Sequence, residues 1–426
     1  MPERAEIVKL ADRTEAYLVD SLLPFWIERS PDEECGGFLT YFDSRGRATG
    51  ETAKTFLMQI RMLYTMASAH RAGYGGDASA RLAQKGAAFL LDHYWDDEND
   101  GWVWIAERNG APTVRDKVGY GQVFAIYAFS EYFLATGDRR GHEAALRSYD
   151  AICRHMADTR HGGCFELMEP DWTPKPPGRS GGDRKSMDVH MHLMEALTRL
   201  YEMTRSPTHR RRLIETVDLI LTRMLEPRTG LGYMQFALDF TPLEAILFDT
   251  EWGRDAEPDG SPAHPLDMTS PGHNVEFAWL LLHAADVLGV PRSQYADVLR
   301  RMCDHCIDFG LDRELGGVYA DVPMTRPPTK TEKQFWQQAE AMIGLLDAAA
   351  LLGDEKYWLA FRNVYDFVFD KLVVTDAGGE WYERVDREGV PIDDALGHAW
   401  KISYHTVRSM IQVTRRLRGL AAKAGT

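Results

Sequence analysis

The sequence predicts an all-α toroid of twelve helices, an (α/α)6 barrel, and two observations support this prediction. Apolar residues recur with a period near 3.6 in about twelve segments of the 426-residue chain. The connections between these segments alternate regularly between very short and long. Such repetition is typical of architectures built from one supersecondary unit, and six helix pairs close naturally into a ring.

The short connections carry helix-ending and helix-starting signals. Gly137-Asp138, Gly353-Asp354 and Gly76-Asp77 each place a glycine C-cap beside an aspartate N-cap. Ser206-Pro207 and Val290-Pro291 are expected to act similarly. The helices predicted on either side of these turns span approximately 6–29, 52–72, 78–95, 120–136, 140–157, 186–204, 208–225, 273–289, 292–309, 334–352, 355–373 and 400–418.

The long connections each contain a glycine-aromatic piece that resembles a short β-hairpin. These pieces are Gly36-Gly37-Phe38, Gly101-Trp102-Val103-Trp104, Gly162-Gly163-Cys164-Phe165, Gly230-Leu231-Gly232-Tyr233, Gly316-Gly317-Val318-Tyr319 and Gly378-Gly379-Glu380-Trp381. We expect the helices that follow them to form the inner wall, with the hairpins gathered over one end of a central cavity. Because no Pro/Gly/Ser-rich linker interrupts this rhythm, residues 1–426 are predicted to form a single domain.

Composition excludes several classes of partner. A net charge of -15 disfavours binding to nucleic acid or to an anionic membrane. The N-terminus lacks an apolar signal-peptide core, no apolar run is long enough to span a membrane, and the five cysteines are an odd number. These features predict a cytoplasmic protein, for which a monomer and a homodimer are both compatible with the sequence. Cys303 and Cys306 lie within an apolar-periodic run and are expected to be helix-packing residues.

Polar and aromatic side chains collect near the starts of the predicted inner helices, whereas the outer helices carry scattered charges. The set consists of Arg61, Lys117, Tyr120, His192, Glu195, His273, Glu276, Trp336, Gln338, Glu340, Trp400, Tyr404, His405 and Arg408. Arg61 stands deeper in its predicted helix than the others. Unusual polar groups at equivalent points of several repeats predict a functional site at the loop end of the ring.

Spacing within the helices refines this site. His192 and Glu195 are three residues apart, as are His273 and Glu276, so each pair shares a helix face on which the carboxylate can orient the imidazole. His190 and His192 point about 200° apart on a helix and cannot jointly hold a metal ion. We therefore expect no metal. The sequence contains neither a Rossmann glycine fingerprint nor a P-loop, and no cofactor is predicted.

Six ordered segments resemble the N-acylglucosamine 2-epimerase superfamily, and within it cellobiose 2-epimerases and mannose epimerases or isomerases. They are Gln59-Ile60-Arg61, the run from Lys117 to Tyr127, the run from Asp188 to Ala196, Gly272-His273-Asn274-Val275-Glu276, the run from Phe335 to Ala341, and Trp400-Lys401-Ile402-Ser403-Tyr404-His405. The resemblance covers nearly the whole chain. Tyr64, Phe335 and Ser403 depart from residues common in the superfamily, and the change at Phe335 argues against a disaccharide substrate.

The resemblance also implies roles for individual residues. His273 and His405 would be the two general acid/base residues, with Glu276 supporting His273. The remaining predicted catalytic groups, His192 and Arg61, would lie near the reacting carbonyl and hydroxyls. The residues predicted to bind the sugar are Tyr120, Trp336, Gln338, Glu340 and Trp400.

Several activities are compatible with this set. Inversion at C2 of an aldose needs a base on each face of an enediolate, and histidines suit the task because they titrate near neutral pH. A glucose or mannose type of sugar, or the reducing end of a β-1,4-disaccharide such as cellobiose, is the expected substrate. An aldose–ketose isomerase would use almost the same residues. A glycoside hydrolase could recruit the carboxylates of Asp188, Glu276 and Glu340, and a non-catalytic sugar-binding or partner-binding protein is the remaining alternative.

Overall fold

The structure is a computed structural model that describes residues 2–248 and 264–424. The helices in this part of the chain are α1 (Arg4–Tyr17), α2 (Leu23–Arg29), α3 (Phe56–Arg71), α4 (Gly76–His93), α5 (Gly119–Thr136), α6 (Arg139–Ala151), α7 (Met187–Thr204), α8 (Pro207–Arg223), α9 (Pro271–Leu288), α10 (Ala296–His305), α11 (Phe335–Leu352), α12 (Glu355–Phe367) and α13 (Ser403–Lys423). A π-helical turn, Leu18–Leu22, joins α1 to α2, so the predicted helix 6–29 consists of three pieces. Similar turns extend α6, α10 and α12.

Six of these helices form a closed inner ring. In chain order α3, α5, α7, α9, α11 and α13 each pack against the next, and α13 packs against α3. The remaining helices lie outside, with α1 against α13. Inner helices are buried on almost every side, as in α5, where residues 121–132 are all buried, whereas α6 buries one face. The chain therefore folds as the predicted (α/α)6 barrel.

Short strands tie the loops together at one end of the ring. They are β1 (Lys54–Thr55), β2 (Ile105–Ala106), β3 (Pro112–Val114), β4 (Lys117–Val118), β5 (Leu167–Met168), β6 (Arg184–Ser186), β7 (Gln235–Ala237), β8 (Pro242–Leu243), β9 (Met268–Thr269), β10 (Val322–Pro323), β11 (Lys333–Gln334), β12 (Arg384–Val385) and β13 (Pro391–Asp393). Antiparallel pairing joins β1 to β2, β4 to β5, β6 to β7, β9 to β10 and β11 to β12. Each pair links the strand before an inner helix to the next long loop.

The tight turns follow the predicted chemistry at two positions and differ at a third. Gly137 and Gly353 adopt positive φ angles of 73° and 72°, and the following aspartates accept hydrogen bonds from backbone amides at the starts of α6 and α12. In the first turn, Gly75 is the N-cap residue and α4 begins at Gly76. The predicted N-cap Asp77 therefore lies inside the first turn of the helix, where its charge favours the helix dipole.

Each inner helix is preceded by an equivalent position that is lysine in five of the six units. Their ammonium groups form buried ion pairs with a carboxylate of the preceding hairpin loop, and Thr269 takes this position in the fourth unit. The pairs are Lys54–Asp32 at 2.9 Å, Lys117–Asp96 at 2.7 Å, Lys185–Asp158 at 2.7 Å, Lys333–Asp312 at 3.1 Å and Lys401–Glu380 at 3.4 Å. The loops over the ring are therefore fixed to the inner helices by a repeated internal contact.

A second repeated contact lies five residues later, where an amide or imidazole binds the same hairpin backbone. Its members are Gln59, Gln122, His190, Asn274 and Gln338, which accept hydrogen bonds from the backbone N–H groups of Phe38, Trp102, Cys164, Gly232 and Val318 respectively. Gln338 also donates to the carbonyl oxygens of Val318 and Gln334 and is fully buried. The structure thus uses Gln338 as a loop anchor, in place of the predicted contact with substrate.

Removing one lysine of this series is expected to destabilise the fold strongly. Lys185→Met leaves the buried carboxylate of Asp158 without its cation, which typically costs about 3–5 kcal/mol. Lys117→Met is the matched control, because Asp96 keeps a second cation, Arg115, at 2.8 Å. Urea unfolding should show the larger loss of unfolding free energy for Lys185→Met, and equal losses would contradict this account.

No helix within the described residues is both long and apolar enough to cross a bilayer. Cys303 and Cys306 are buried where α10 passes into its π-helical turn, in agreement with their predicted packing role.

Candidate active site

The centre of the ring is lined by one equivalent residue from each inner helix, seven positions after the lysine position. These six residues are Arg61, Phe124, His192, Glu276, Glu340 and Arg408. All are buried, and five of the six carry a polar or charged group. Arg61 therefore occupies the same level as the other five residues, which corrects the expectation that it lies deeper. The signal was present in the sequence, because it follows from counting from the lysine of each repeat.

His192 is surrounded by oxygen atoms. Its Nδ1 is 2.9 Å from the carboxylate of Glu195, the neighbour predicted from their spacing, and its Nε2 is 3.3 Å from Asp188 and 3.1 Å from the Tyr120 hydroxyl. Burial alone would lower the pKa of His192, but the adjacent carboxylates of Asp188 and Glu195 outweigh it and raise the pKa to about 9. His192 is thus a cation at neutral pH.

Tyr120 joins this cation to Arg61. The Arg61 guanidinium donates to the Tyr120 hydroxyl oxygen at 2.7 Å, and the protonated His192 also donates to that oxygen. Burial raises the pKa of Tyr120 well above its usual value, so the phenol keeps its own proton. With its oxygen accepting two hydrogen bonds, the Tyr120 O–H remains a donor for a ligand.

His405 has the opposite electrostatic character. Its Nδ1 lies 2.8 Å from Glu340, and as the donor in this hydrogen bond it leaves the lone pair on Nε2. Burial lowers the pKa of His405 to about 3 in spite of the adjacent carboxylate. His405 is therefore a neutral imidazole whose Nε2 can accept a proton.

His273 lies at the rim, with 29% of its side chain exposed. Burial lowers its pKa, so it is also neutral, and its ring centroid is 4.5 Å from that of Trp336. The same indole lies 5.8 Å from the His405 ring, which places both neutral histidines against Trp336. The acidic group beside His273 is Asp188, at 3.5 Å from Nε2, whereas Glu276 binds Arg408. The expectation that Glu276 orients His273 is therefore not matched by the geometry.

The sequence places Arg408 among the inner-helix groups without indicating a role for it, and in the structure its guanidinium lies at the centre. Its guanidinium donates to Glu195 at 2.6 Å, to Glu276 at 2.6 Å and to Glu340 at 2.7 Å. It thereby links the carboxylate partner of His192 to that of His405. Burial, together with the charge of Glu340, raises the pKa of Glu276 to about 8, so one of these carboxyl groups is protonated at neutral pH.

A rim of half-buried side chains surrounds the access to this centre. It consists of Tyr120, Asp188, His273, Trp336 and Trp400. Phe335, in contrast, is only 2% exposed and packs its ring against His405. It cannot contact an outer sugar, so its departure from the superfamily pattern carries no argument against a disaccharide.

Comparison with known proteins identifies the family. The family model for N-acylglucosamine 2-epimerase (GlcNAc 2-epimerase) matches residues 36–409. The chain belongs to this family. The match includes every residue of the central ring and of its rim, so the predicted resemblance is confirmed.

Named relatives match nearly the whole of this chain. A cellobiose 2-epimerase of Bacteroides fragilis is 26% identical over 95% of this chain and 98% of its own. A D-mannose isomerase of Marinomonas mediterranea is 21% identical over 94% and 96%. The crystal structure of a sugar epimerase from a ruminal bacterium has a TM-score of 0.84 at 25% identity and covers 96% of this chain and 99% of that one. These relatives are carbohydrate epimerases and isomerases.

Two carboxyl groups and one imidazole at the centre of the ring lie close enough together to suggest a metal site. Ligand atoms of Glu276, Glu340 and His405 lie within 4.8 Å of one another, which the sequence did not predict. A single guanidinium nitrogen of Arg408, however, already binds both carboxylates. The donor set therefore does not fit an ion unless Arg408 is displaced, and the chemistry below is derived without one.

The charged state of His192 predicts how activity depends on pH. If the imidazolium is needed, kcat/KM should be constant near neutrality and fall as the pH rises through the His192 pKa of about 9, because the cation is lost there. His192→Gln removes the titrating group and should abolish this alkaline limb. Glu276→Gln is the control. It removes a group that titrates at about 8 and should keep an alkaline limb, shifted to somewhat lower pH because the charge of Glu276 helps to raise the pKa of His192. A limb that survives in His192→Gln would contradict the assignment.

Proposed function

We propose that this protein is a sugar 2-epimerase, which interconverts the C2 epimers of an aldose by proton transfer through an enediolate. The observation that carries the proposal is the pairing of two neutral histidines, His273 and His405, on different inner helices beside a cationic group formed by His192 and Arg61. Removal of a weakly acidic C–H proton requires neutral bases, and the resulting oxyanion requires donors. The site supplies both in one place.

The two bases have separate structural supports. His405 is held by Glu340, which fixes the tautomer that leaves Nε2 free. His273 comes from α9 at the rim and faces Asp188. In the proposed reaction one histidine takes the C2 proton and the other returns a proton to the opposite face. The negative charge that develops on the enediolate raises the pKa of the second histidine, which takes a proton from water before it donates, and the first histidine later releases the abstracted C2 proton to water.

The oxygens of the enediolate are the proposed ligands of the cationic group. Arg61 and the Tyr120 O–H offer donors to these oxygens, and burial holds both groups in place. The N–H groups of the His192 imidazolium are used by Glu195 and Tyr120, so His192 contributes its positive charge and fixes the Tyr120 hydroxyl. Preorganised donors in a site shielded from water need no reorganisation as charge develops, and they are commonly the largest contribution to catalysis.

The carboxylates do not favour the hydrolase alternative. Glycosidases need two carboxyl groups that flank the scissile bond with room for a sugar between them. Glu276 and Glu340 are instead both fully buried and share one nitrogen of Arg408.

For the substrate we propose a glucose or mannose unit, free or at the reducing end of a β-1,4-disaccharide such as cellobiose. The names of the relatives support this range, and the half-buried Trp336 and Trp400 offer aromatic faces for sugar rings. We also propose that the protein acts in the cytoplasm, because an odd number of cysteines does not suit a disulfide-stabilised secreted protein.

The proposal is tested by incubating the purified protein separately with cellobiose, glucose and mannose and following the sugars by ¹³C NMR. The C2 epimer of at least one substrate should form, and His405→Asn should form it at least about 100-fold more slowly. A ketose as the main product would replace epimerisation by aldose–ketose isomerisation. Release of glucose from cellobiose would indicate a hydrolase, and the absence of any change in all three sugars would contradict the proposed function.

A further inference from the structure

The loop before α13 carries Trp400 and is folded around a histidine that the site described above does not include. The backbone N–H of Trp400 donates to Nδ1 of His398 at 3.1 Å, and the backbone N–H of His398 donates to the carbonyl oxygen of Lys401 at 2.9 Å. The backbone bond closes a turn of four residues whose third member is Trp400, and the imidazole holds the Trp400 amide inside this turn. A backbone amide that uses a side chain as its acceptor depends on that side chain for its position.

Because the Trp400 amide donates to Nδ1, that nitrogen is the acceptor of the neutral imidazole, and Glu383 faces the other nitrogen. Its carboxylate lies 3.5 Å from Nε2, and the two side chains are 25% and 18% exposed. A carboxylate facing Nε2 favours the tautomer with its proton on Nε2, and this leaves the lone pair on Nδ1 for the amide of Trp400. Glu383, His398 and the Trp400 backbone therefore form a relay of defined polarity.

The relay reaches the substrate site through Trp400. The carbonyl oxygen of this residue accepts a hydrogen bond from Arg61 at 3.4 Å, and its indole lies against the ring of Tyr120, with centroids 6.4 Å apart. The peptide groups on both sides of the Trp400 α-carbon are thus held, one by His398 and one by Arg61. A shift of this backbone would move an aromatic face of the rim.

We propose that His398 is a positioning residue, which holds Trp400 in the orientation that binds the sugar and so sets the affinity of the enzyme for its substrate. The inference rests on the proposed function, because it takes Trp400 to contact the sugar. His398 itself does not touch the reacting atoms, so its contribution is to substrate binding and not to proton transfer.

The kinetic test compares His398→Leu with His398→Asn. Leucine removes the acceptor, whereas the side-chain oxygen of asparagine reaches the position of Nδ1. We expect His398→Leu to raise KM about 3- to 10-fold, the equivalent of one neutral hydrogen bond, with kcat changed less than about twofold. His398→Asn should restore KM to within about twofold of the wild type. An unchanged KM in His398→Leu, a loss confined to kcat, or equal KM increases in both variants would overturn the proposal.

A second measurement does not depend on turnover. In protein labelled with ¹⁵N-histidine, the ring signals of His398, assigned by their loss in His398→Asn, should show that the neutral ring carries its proton on Nε2 and not on Nδ1. The opposite tautomer would overturn the relay even if the enzyme is active. If the wild type turns over no sugar, the proposed function fails, while this spectrum still decides whether His398 holds Trp400 in the manner described.

Discussion

His405→Asn and His273→Asn should each lower the rate of epimerisation by about 10²–10⁴-fold, because a positioned acid or base typically contributes that much and both are used in one turnover. The double variant should be little worse than either single variant, since the two groups act as a unit. The measurement is kcat/KM for the sugar that the wild type converts. Circular dichroism and the thermal midpoint of each variant serve as controls for folding.

Heavy water separates the two roles. A variant that keeps the proton-abstracting histidine can exchange the C2 hydrogen of the substrate for deuterium on one face without inverting the centre. The variant that lacks this histidine should neither exchange nor epimerise. Near wild-type epimerisation by both single variants would show that the two-histidine mechanism is wrong for this protein.

The fold could be predicted because residues that end one helix and start the next recur along the chain. A glycine with positive φ followed by an aspartate N-cap, as at Gly137 and Gly353, marks a tight turn from local sequence alone. The predicted start of α3, residue 52, is too early, because Lys54 and Thr55 form a strand with the following loop. Pairing with a distant segment leaves no periodic signal in the sequence of the strand itself.

Contacts between site residues can be predicted from the sequence when both residues lie on the same helix. Contacts between residues on different helices cannot. Glu195 stands three residues after His192, and the hydrogen bond between them follows from helix geometry. The carboxylate that supports His405 is Glu340, 65 residues away on α11, and no local spacing indicates this contact. Gln338 is predicted to bind the sugar, but its place in the repeat, five residues after the lysine position, is that of a loop anchor.

Arg408→Met is expected to affect stability and activity together. The guanidinium is the shared partner of Glu195, Glu276 and Glu340, so its removal leaves three buried carboxyl groups without their common cation. Breaking a buried ion pair typically costs about 3–5 kcal/mol, and turnover should fall because the partners of His192 and His405 both lose a contact. Urea unfolding measures the first effect and kcat/KM the second.

Arg416→Met is the matched control for this substitution. Arg416 lies on the same helix and binds the buried Asp347 at 2.7 Å, but Asp347 keeps a second cation in Arg292. We expect Arg416→Met to cost about 1 kcal/mol or less and to leave kcat/KM nearly unchanged. Similar losses of unfolding free energy in the two variants would show that Arg408 has no special place in the centre.

A metal ion offers a direct test of what Arg408 supplies. If its main contribution is positive charge between Glu276 and Glu340, then Arg408→Ala should open a site for Zn²⁺, because the ligand atoms of these residues and of His405 lie within 4.8 Å of one another. Zinc should raise the thermal midpoint of Arg408→Ala, since a ligand that binds only the folded state stabilises it. It should have little effect on the wild type, where the guanidinium occupies the site, or on Arg408→Ala combined with Glu340→Gln, which lacks one ligand. A midpoint of Arg408→Ala that does not respond to zinc would show that the geometry of the guanidinium, and not its charge alone, holds the centre together.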